Sequence, residues 1–372
     1  MQKLTVLDQP DKVKAIDKSN MLGACEKTPD FCRDAVKRAE KVEIPISYKS
    51  PKNVIVAGMG GSAIGGELLK NWLYDRASIP IEVCRDYVLP AYANENSLIV
   101  AVSYSGETEE TLSAFLEAIK RRCMVLTVSS GGHLQTFSQK LKIPHILIPS
   151  DSPAPRAAIA YLFFPLVVLM KKLCVAKKAN EEIEETLRVL QKISEENALR
   201  TPLKNNMAKK LALEIGDTVP IVYGFRQYNA VARRLKCQFN ENSKVPSKFD
   251  VFSELNHNEV VGWEAPRNLT KAFSILVIRD SKEPREIKQR IEVTKQIASK
   301  KVCRILEIRA VGKQKLAKML SAMYMGDFVS IYLALLRGVD PTPTKTIAHL
   351  KREMKKEFDM TARLEKEIEK IT

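Results

Sequence analysis

The chain has 372 residues, 45% of them hydrophobic, and carries 60 Lys and Arg against 44 Asp and Glu, a net charge of +16. This length allows two or three packed domains, and the composition excludes a small disulfide-stapled fold and an intrinsically disordered chain. The basic charge favours anionic partners, but acids are interspersed among the bases, so it indicates a solvated surface rather than a nucleic-acid-binding face.

The cysteines and the apolar segments indicate the compartment. Seven scattered cysteines without a C-x-x-C pair indicate reduced thiols rather than disulfides or a zinc site. The N-terminus lacks the apolar core of a signal peptide, and the longest apolar stretch, residues 157–170, is shorter than the roughly 20 residues that span a bilayer. We therefore expect a cytoplasmic protein with no membrane partner and no nucleic-acid partner.

The first half of the chain alternates between strand and helix patterns. Residues 1–48 have a helical pattern with charged faces, and residues 53–58 then predict a buried parallel strand that ends at glycine. The elements predicted next are a helix at 63–74, strands at 81–84 and 98–103, a helix at 107–120 and a strand at 124–128. This alternation predicts βαβ units in a doubly wound parallel sheet.

The second half repeats the theme after a charged helical segment at 179–197. A strand at 219–224, a helix at 230–239 and a strand at 273–278 follow, and the strand-glycine-helix unit at Gly58 recurs at Gly224, which indicates a diverged internal repeat. The predicted fold is α/β, with two doubly wound parallel-sheet domains in tandem and a C-terminal helix. Its predicted segments are an N-terminal helical extension (1–48), a first sheet domain (49–178), a helical connector (179–204), a second sheet domain (205–350) and the C-terminal helix (351–372).

A glycine cluster, Gly58-Met-Gly60-Gly61-Ser62-Ala63, joins the first strand to its helix. Glycine lets a ligand approach the backbone, and the free amides at a helix start bind anions, so Gly60, Gly61 and Ser62 are candidate ligand contacts. The same letters satisfy the dinucleotide fingerprint G-x-G-x-x-A, with Glu82 or Asp86 as a ribose-binding acid. A nicotinamide-dependent enzyme, or a turn needed only for packing, remains an alternative at this point.

The next strand-to-helix junction, Ser103-Tyr-Ser105-Gly-Glu-Thr108, favours a phosphate monoester. Ser103, Ser105 and Thr108 place three hydroxyl groups at the mouth of a helix, and hydroxyls donate to phosphate oxygens. An ordinary helix cap needs one hydroxyl, and a dinucleotide fold needs no second anion-binding turn.

Seven motifs, in this order, resemble those of the bifunctional phosphoglucose/phosphomannose isomerases, a family within the group of proteins with sugar isomerase (SIS) domains. The resemblance covers about residues 50–352. The motifs are GMGGS (58–62), SYSGETEE (103–110), PRAA (155–158), NENSK (240–244), ELNHNE (254–259), DPTP (340–343) and HLK (349–351).

The resemblance implies interconversion of glucose 6-phosphate or mannose 6-phosphate with fructose 6-phosphate, through a cis-enediol and without a metal ion or cofactor. It implies a homodimer with shared active sites, in which the ring-opening histidine comes from the neighbouring subunit. The roles that it assigns are phosphate binding by Ser62, Ser103, Ser105 and Thr108, proton transfer by Glu241, enediolate stabilisation by Arg156, ring opening by His257 with Lys351 nearby, and acceptance of both epimers by Thr344.

The residue types fit these roles, although ordinary explanations exist for each. A carboxylate such as Glu241 can move one proton between adjacent carbons, but acids in polar loops are usually solvated. A histidine such as His257 can both donate a proton to a sugar ring oxygen and accept one, and His257 lies among polar neighbours, unlike a core histidine. Arg156 precedes an apolar helix and must reach solvent or meet an anion. His133 and His145 belong to no motif and are predicted to be surface or turn residues.

Three other functions compete with the isomerase. A non-catalytic phosphosugar sensor would use the same domains, a dinucleotide-dependent oxidoreductase would use the glycine cluster, and a nucleic-acid binder would use the basic charge. The second repeat has Gly224-Phe-Arg-Gln where the first has its glycine-serine turn. This difference suggests that one half binds phosphate while the other supplies catalytic groups.

Overall fold

The computed structural model describes residues 5–48, 50–357 and 360–370. The strands in these ranges are β1 Asn53–Ala57, β2 Ile81–Cys84, β3 Ser97–Val102, β4 Met124–Ser129, β5 His145–Leu147, β6 Val219–Phe225, β7 Lys248–Phe252, β8 Phe273–Arg279 and β9 Arg304–Arg309. The α-helices are α1 Pro10–Ile16, α2 Met21–Glu26, α3 Thr28–Lys41, α4 Gly60–Leu73, α5 Glu109–Lys120, α6 Gly132–Lys140, α7 Ile159–Lys172, α8 Ala179–Asn197, α9 Met207–Ile215, α10 Asn229–Glu241, α11 Arg267–Thr270, α12 Arg285–Ser299, α13 Lys315–Leu336, α14 Lys345–Glu357 and α15 Met360–Glu369.

The strands form two parallel sheets with a common order. The first sheet runs β2-β1-β3-β4-β5 and the second runs β7-β6-β8-β9, with every neighbouring pair parallel. In each sheet the first strand lies between the second and the third, as a diverged internal repeat predicts. Parallel strands are covered on both faces, and all six residues of β3 are buried. These sheets confirm the predicted α/β class.

Every strand predicted from the sequence is present within one residue of its expected bounds, whereas three strands were missed. The missed strands are β5, β7 and β9, each at an edge of its sheet. Their side chains are only partly buried, and β5 has just three residues. Edge strands have neither the length nor the continuous apolar run by which a central parallel strand is identified.

Helix α13 forms the core of the second sheet's half of the protein. It packs against α9 and α10, and nearly all of its side chains are buried. Within the described residues it is the one helix long and apolar enough to cross a membrane, but 89% of its most apolar window is buried inside the protein. Its burial is that of a core helix.

The chain forms two compact units, each built from two separate segments. The first-sheet unit consists of Asp30–Ala179 and Thr344–Thr372, and the second-sheet unit consists of Met1–Pro29 and Asn180–Pro343. The predicted extension (1–48) is thus divided between both units, and most of the predicted connector (179–204) belongs to the second-sheet unit. Residues 1–4, 49, 358–359 and 371–372 of the predicted segments lie outside the described residues.

The N-terminal segment belongs to the second-sheet unit because it makes buried polar contacts there. The hydroxyl of Tyr324 on α13 donates to the carbonyl oxygen of Cys25 at 2.7 Å. The ammonium of Lys209, which is fully buried on α9, pairs with Asp8 at 2.9 Å. A buried lysine without such a partner would be costly, so Asp8 ties the start of the chain to this unit.

The C-terminal segment, predicted as a helix over 351–372, is helical in its described residues, which belong to α14 and α15. Helix α14 begins at Lys345 and is mostly exposed, whereas α15 packs against α5. The buried side chains of Leu364 and Ile368 join the core beside Phe115 of α5. Each contributes about 2 kcal/mol relative to exposure, so apolar packing is the main force that holds α15.

A histidine between two carboxylates adds a charged contact to α15. His133 Nδ1 lies 2.5 Å from Glu107, and Nε2 lies 2.5 Å from Glu365 of α15. Burial alone would lower the pKa of His133. The hydrogen bonds to these two carboxylates outweigh burial, so the pKa of His133 is raised above 6.5. The residue that was expected on the surface therefore links α15 to the loop before α5.

The His133 contact should make stability depend on pH. Because the folded state raises the pKa, its contribution is complete below about pH 6.5 and is lost as the pH rises through the folded-state value. We expect the difference in free energy of unfolding between the wild type and His133→Gln to shrink between pH 6 and pH 9, as measured in urea. His349→Gln, an exposed change on α14, is the control and should follow the wild type. Parallel curves for His133→Gln and the wild type would contradict the assignment.

Candidate functional site

Two strand ends meet at the carboxyl edge of the first sheet. Ala57 of β1 pairs with Ala101 of β3, so both strands end at the same level. A side chain at Gly58 would come within 2.8 Å of the carbonyl oxygen of Val102. Only glycine allows this approach, and as a result the turns that follow the two strands lie side by side.

The first turn leads directly into helix α4. Gly60 has φ +51°, a backbone conformation that favours glycine, and Met59 provides no side-chain capping bond. Ser62 is 6% exposed in the first turn of the helix. A helix start without a side-chain cap presents backbone N–H groups and the positive end of the helix dipole to an anion.

The second turn holds its hydroxyl groups in a defined arrangement. The Ser103 hydroxyl lies 2.9 Å from that of Thr108 and accepts the backbone N–H of Gly106 at 3.1 Å. Ser105 is exposed and accepts the N–H of Glu107 at 3.2 Å. Although Thr108 precedes α5, its hydroxyl makes no capping bond to the helix. The start of α5 is therefore also available to an anion.

The junction between β4 and α6, at residues 130 and 131, supports this second turn. Gly106 has φ +74°, and a Cβ there would lie 1.9 Å from the carbonyl oxygen of Gly131. The hydroxyl of Ser130 donates to the carbonyl oxygen of Tyr104 at 2.7 Å. Burial raises the pKa of Tyr104, whose hydroxyl accepts the N–H of Ser152 at 3.0 Å. These contacts fix the turn from two sides.

Arg156 lies beside the first turn. It is 5% exposed, in a short 3-10 helix, Pro155–Ala158, that leads into α7. Helix α7 packs tightly on α4, because Gly65 places its backbone close to the carbonyl oxygen of Leu162. Gly61 consequently lies against the backbone of Arg156, so that a Cβ at Gly61 would be 3.7 Å from the Arg156 Cα. A guanidinium group here could bind an anion.

We call the set of residues around these two turns the cradle: Gly60, Gly61, Ser62, Ser103, Ser105, Thr108 and Arg156. All of them belong to the first-sheet unit. Thr344 and Lys351 belong to the same unit, where Thr344 directly precedes α14 and Lys351 is exposed on it. Glu241 and His257 belong to the second-sheet unit.

Glu241 is the last residue of α10 and is half-buried. Lys244, at φ +54°, folds back over the end of the helix, and its ammonium donates to the backbone carbonyl oxygen of Glu241. The same ammonium donates to the carbonyl oxygen of Pro341 at 3.0 Å. A lysine at this position satisfies carbonyl groups that the helix leaves open.

His257 is exposed at the end of a 3-10 helix, Glu254–His257, that follows β7. Its neighbours hold the loop in place, since the amide of Asn256 donates to the Thr294 hydroxyl at 2.8 Å and that of Asn258 donates to Glu254 at 2.9 Å. The imidazole can therefore be presented outward from a fixed loop.

Glu241 and His257 lie at opposite edges of the second sheet. Helix α10 follows β6 and packs along β6 and β7, so its last residue lies at the amino edge of these parallel strands. His257 follows the carboxyl end of β7. The five residues of β7 span roughly 16 Å, which separates the two side chains within the unit.

In the second sheet, the position that corresponds to the cradle is occupied by the carboxylate of Asp280. Asp280 is the first residue after β8, as Ser103 is after β3. It pairs with Lys318 at 2.5 Å and accepts the hydroxyl of Tyr228 at 2.6 Å. Burial raises the pKa of Asp280, but these two partners lower it below its usual value. An anionic ligand would have to displace this carboxylate.

The acid considered for a dinucleotide ribose has another partner. Glu82 on β2 pairs with Lys70 of α4 at 3.0 Å.

Among the residues that the structure describes, no group of three or more His, Cys, Asp or Glu side chains is arranged to hold a metal ion.

Sequence reasoning missed the polar residues that support these elements. Ser130 and His133 contact the second turn. On α13, Asp327 contacts α10, and Ser330 contacts Asn242 directly after the end of α10. Asp327 and Ser330 did leave a signal, since they are two polar residues one turn apart in the mostly apolar second half of α13. Ser130 left none, because its contact depends on the packing of two loops.

Comparison with known proteins identifies the family. Residues 204–354 match the family model described as the bacterial phospho-glucose isomerase C-terminal SIS domain. The bifunctional phosphoglucose/phosphomannose isomerase of Caldicellulosiruptor bescii is 39% identical over 88% of this chain and 96% of its own length. The enzyme of the same name from Thermoplasma volcanium is 34% identical over 87% of this chain and 99% of its own.

A solved structure shows the same fold. The crystal structure of a hypothetical protein from Thermus thermophilus superimposes with a TM-score of 0.73, covers 94% of each chain and is 14% identical. At that identity the likeness concerns the fold alone. The identity and coverage of the two named enzymes go further: the chain belongs to the bifunctional phosphoglucose/phosphomannose isomerase family.

Proposed function

We propose that the protein is an aldose-ketose isomerase that interconverts glucose 6-phosphate and fructose 6-phosphate, and mannose 6-phosphate and fructose 6-phosphate. The names of the relatives supply these substrates. The structural observation that carries the proposal is the pair of adjacent helix starts, α4 and α5, which have no side-chain cap. Two such starts, with the hydroxyl groups of Ser62, Ser103, Ser105 and Thr108 beside them, suit the three terminal oxygens of a phosphate monoester.

The remaining residues supply the chemistry of a cis-enediol mechanism. His257, with Lys351, opens the sugar ring, and Glu241 takes the proton from C2 of the aldose and returns it to C1. Arg156 stabilises the negative charge that develops on the enediolate oxygens. Thr344 contributes to acceptance of both epimers. No step in this scheme requires a metal ion, so a chelator should leave turnover unchanged.

A first variant tests the proton transfer. Glu241→Gln removes the base and should lower kcat for fructose 6-phosphate about 100-fold or more, because a positioned acid-base group contributes at least that factor. Coupled assays of glucose 6-phosphate and mannose 6-phosphate formation, with a chelator present, measure it. Glu214→Gln is the control, since Glu214 is an exposed acid of the same unit that pairs with Arg304.

Two outcomes would count against this assignment. Substantial activity in Glu241→Gln would exclude Glu241 as the base. Binding of fructose 6-phosphate by the wild type without any turnover would favour a non-catalytic phosphosugar sensor.

A second variant tests the cradle. Ser103→Ala removes a hydroxyl from the proposed phosphate site and should raise KM for fructose 6-phosphate roughly 10- to 100-fold, the value of one hydrogen bond to a charged group. It should weaken competitive inhibition by inorganic phosphate by a similar factor. The control is Ser138→Ala, a buried serine of the same unit that bonds to Thr127 outside the cradle. If both variants changed KM and phosphate inhibition equally, Ser103 would contribute to the stability of the fold and not to phosphate binding.

The separation of Glu241 and His257 supports an active site shared between two subunits. A hexose phosphate is far shorter than the roughly 16 Å spanned by β7, so these two side chains of one chain do not act on one sugar. We propose a homodimer in which each site takes Glu241 from one chain and His257 from the other, as the family resemblance implies.

Mixing two inactive variants tests the shared site. Chains with Glu241→Gln and chains with His257→Ala, unfolded together and refolded, should recover about a quarter of wild-type activity, because half of the dimers would be mixed and each would hold one intact site. Each variant refolded alone is the control. If the mixture stays as inactive as its components, the site is not shared in this way.

A further inference from the structure

The end of helix α10 is attached to α13 by buried polar groups. The guanidinium of Arg234 makes two parallel bonds to Asp327, at 3.0 Å and 2.9 Å, and both side chains are less than a tenth exposed. The amide of Gln238, one turn further along α10, donates to the same carboxylate at 3.0 Å. Asp327 thus holds two successive turns of α10.

A second polar contact continues this attachment beyond the last turn. The side-chain amide of Asn242 donates to the hydroxyl of Ser330 at 2.9 Å, and that hydroxyl donates to the carbonyl oxygen of Asp327 at 2.7 Å. The hydroxyl of Ser243 donates to the carbonyl oxygen of Ser330 at 2.6 Å. Ser330 is completely buried, and Asn242 and Ser243 are 1% exposed.

Close helix packing makes these contacts possible. A Cβ at Gly326 would lie 2.4 Å from the side chain of Leu235, so α13 approaches α10 here because it has a glycine. Asp327 and Ser330 follow directly along the same face of α13, three residues apart. The approach of the two helices and the polar contacts therefore act at one place.

Glu241 stands between the anchored residues. Gln238 precedes it by one turn and Asn242 follows it, and both are tied to α13. The last turn of a helix lacks part of its backbone hydrogen bonds and tends to fray, which would be harmful for a group that must serve two adjacent carbon atoms. Buried ionic groups contribute little net stability, so specification of position is the better explanation for keeping them in an apolar core.

We propose that Asp327 and Ser330 are positioning residues for Glu241, an inference that rests on the proposed function. They do not touch the substrate. They hold the last turn of α10 so that the carboxylate, once it carries the proton from C2, delivers it to C1 before the proton exchanges with water. Loosening this turn should slow the return of the proton and open the carboxyl group to solvent.

The chain offers a closely matched control for a test. Ser321 is another buried serine of α13, 1% exposed, whose hydroxyl donates to the carbonyl oxygen of Lys318 at 2.8 Å. It also accepts one bond from another element, the N–H of Val311 at 2.8 Å, away from α10. Ser330→Ala and Ser321→Ala therefore remove the same groups from the same helix and should lower Tm together.

The readout is the fate of deuterium at C2 of glucose 6-phosphate. With the full-length protein, the share of deuterium found at C1 of fructose 6-phosphate is measured by NMR against the share lost to water. We expect Ser330→Ala to lower kcat about 10-fold with little change in KM, and to raise the share lost to water. Ser321→Ala should retain the wild-type partition, because a loss of folded molecules changes the rate but not the partition in each turnover.

A double mutant tests whether the hydrogen bond between Asn242 and Ser330 controls the loss of deuterium to water. Asn242→Ala should raise the share of deuterium lost to water, as Ser330→Ala does. The double mutant should lose no more deuterium than either single mutant, because both changes remove the same hydrogen bond between Asn242 and Ser330. Asn242→Ala also serves as the test if Ser330→Ala does not fold. Equal partitions in Ser330→Ala and Ser321→Ala, or additive effects in the double mutant, would overturn the inference. Absence of turnover in the wild type would instead overturn the proposed function, and this inference with it.

Discussion

The parallel pairing of β1 with β3 is the constraint on which the candidate site depends. Because Ala57 and Ala101 are partners in register, the turns after both strands emerge at one level, and Gly58 lets them lie side by side. Two helices then begin next to each other with their positive ends toward the same space, and neither has a side-chain cap. A shift of the register by one residue would move the Ser103 turn by about 3.3 Å and separate these groups. The hydroxyl groups refine a site that the sheet itself creates.

The two sheets share a strand order but use their carboxyl edges differently. In the first sheet the residue after the third strand is Ser103, which has a small neutral side chain, and the edge stays open to an anion. In the second sheet the equivalent residue is Asp280, and its carboxylate takes the place of an anion and is neutralised by Lys318. The second-sheet unit therefore has a closed edge, and its candidate catalytic groups, Glu241 and His257, come from helix and loop ends instead. One repeated architecture thus has two roles, and single polar residues at equivalent positions account for the difference.

Much of the fold follows from the sequence, because the central strands are short apolar runs ended by glycine or serine and their burial needs no further context. The edge strands β5, β7 and β9 were not predicted, since they are short or only partly buried and are recognised only by their pairing. The two turns of the cradle were predicted because each of them gathers its glycines and hydroxyl groups within a few consecutive residues. Contacts between segments that are distant in sequence could not be predicted. His133 and Glu365 are more than two hundred residues apart in the chain, and the partners of Asp327 lie on another helix. The opposite placement of Glu241 and His257 also emerges only once the direction of α10 relative to β7 is known.

The two units interleave along the chain, and this affects how the protein is made. The first-sheet unit lacks α15 until residues beyond 343 have been synthesised, and the N-terminal segment of the second-sheet unit must wait for α9 and α13. At roughly 5 to 20 residues per second, the ribosome needs on the order of ten to thirty seconds to add the intervening segment. During that interval Leu22 and Cys25 of the N-terminal segment, and the surface of α5 that later receives Leu364 and Ile368, lack their final partners. Nascent chains of this protein thus have a period in which chaperones that recognise apolar segments can bind. The second-sheet unit reaches its final core only after α13 has been synthesised, and the first-sheet unit only after α15 has been synthesised.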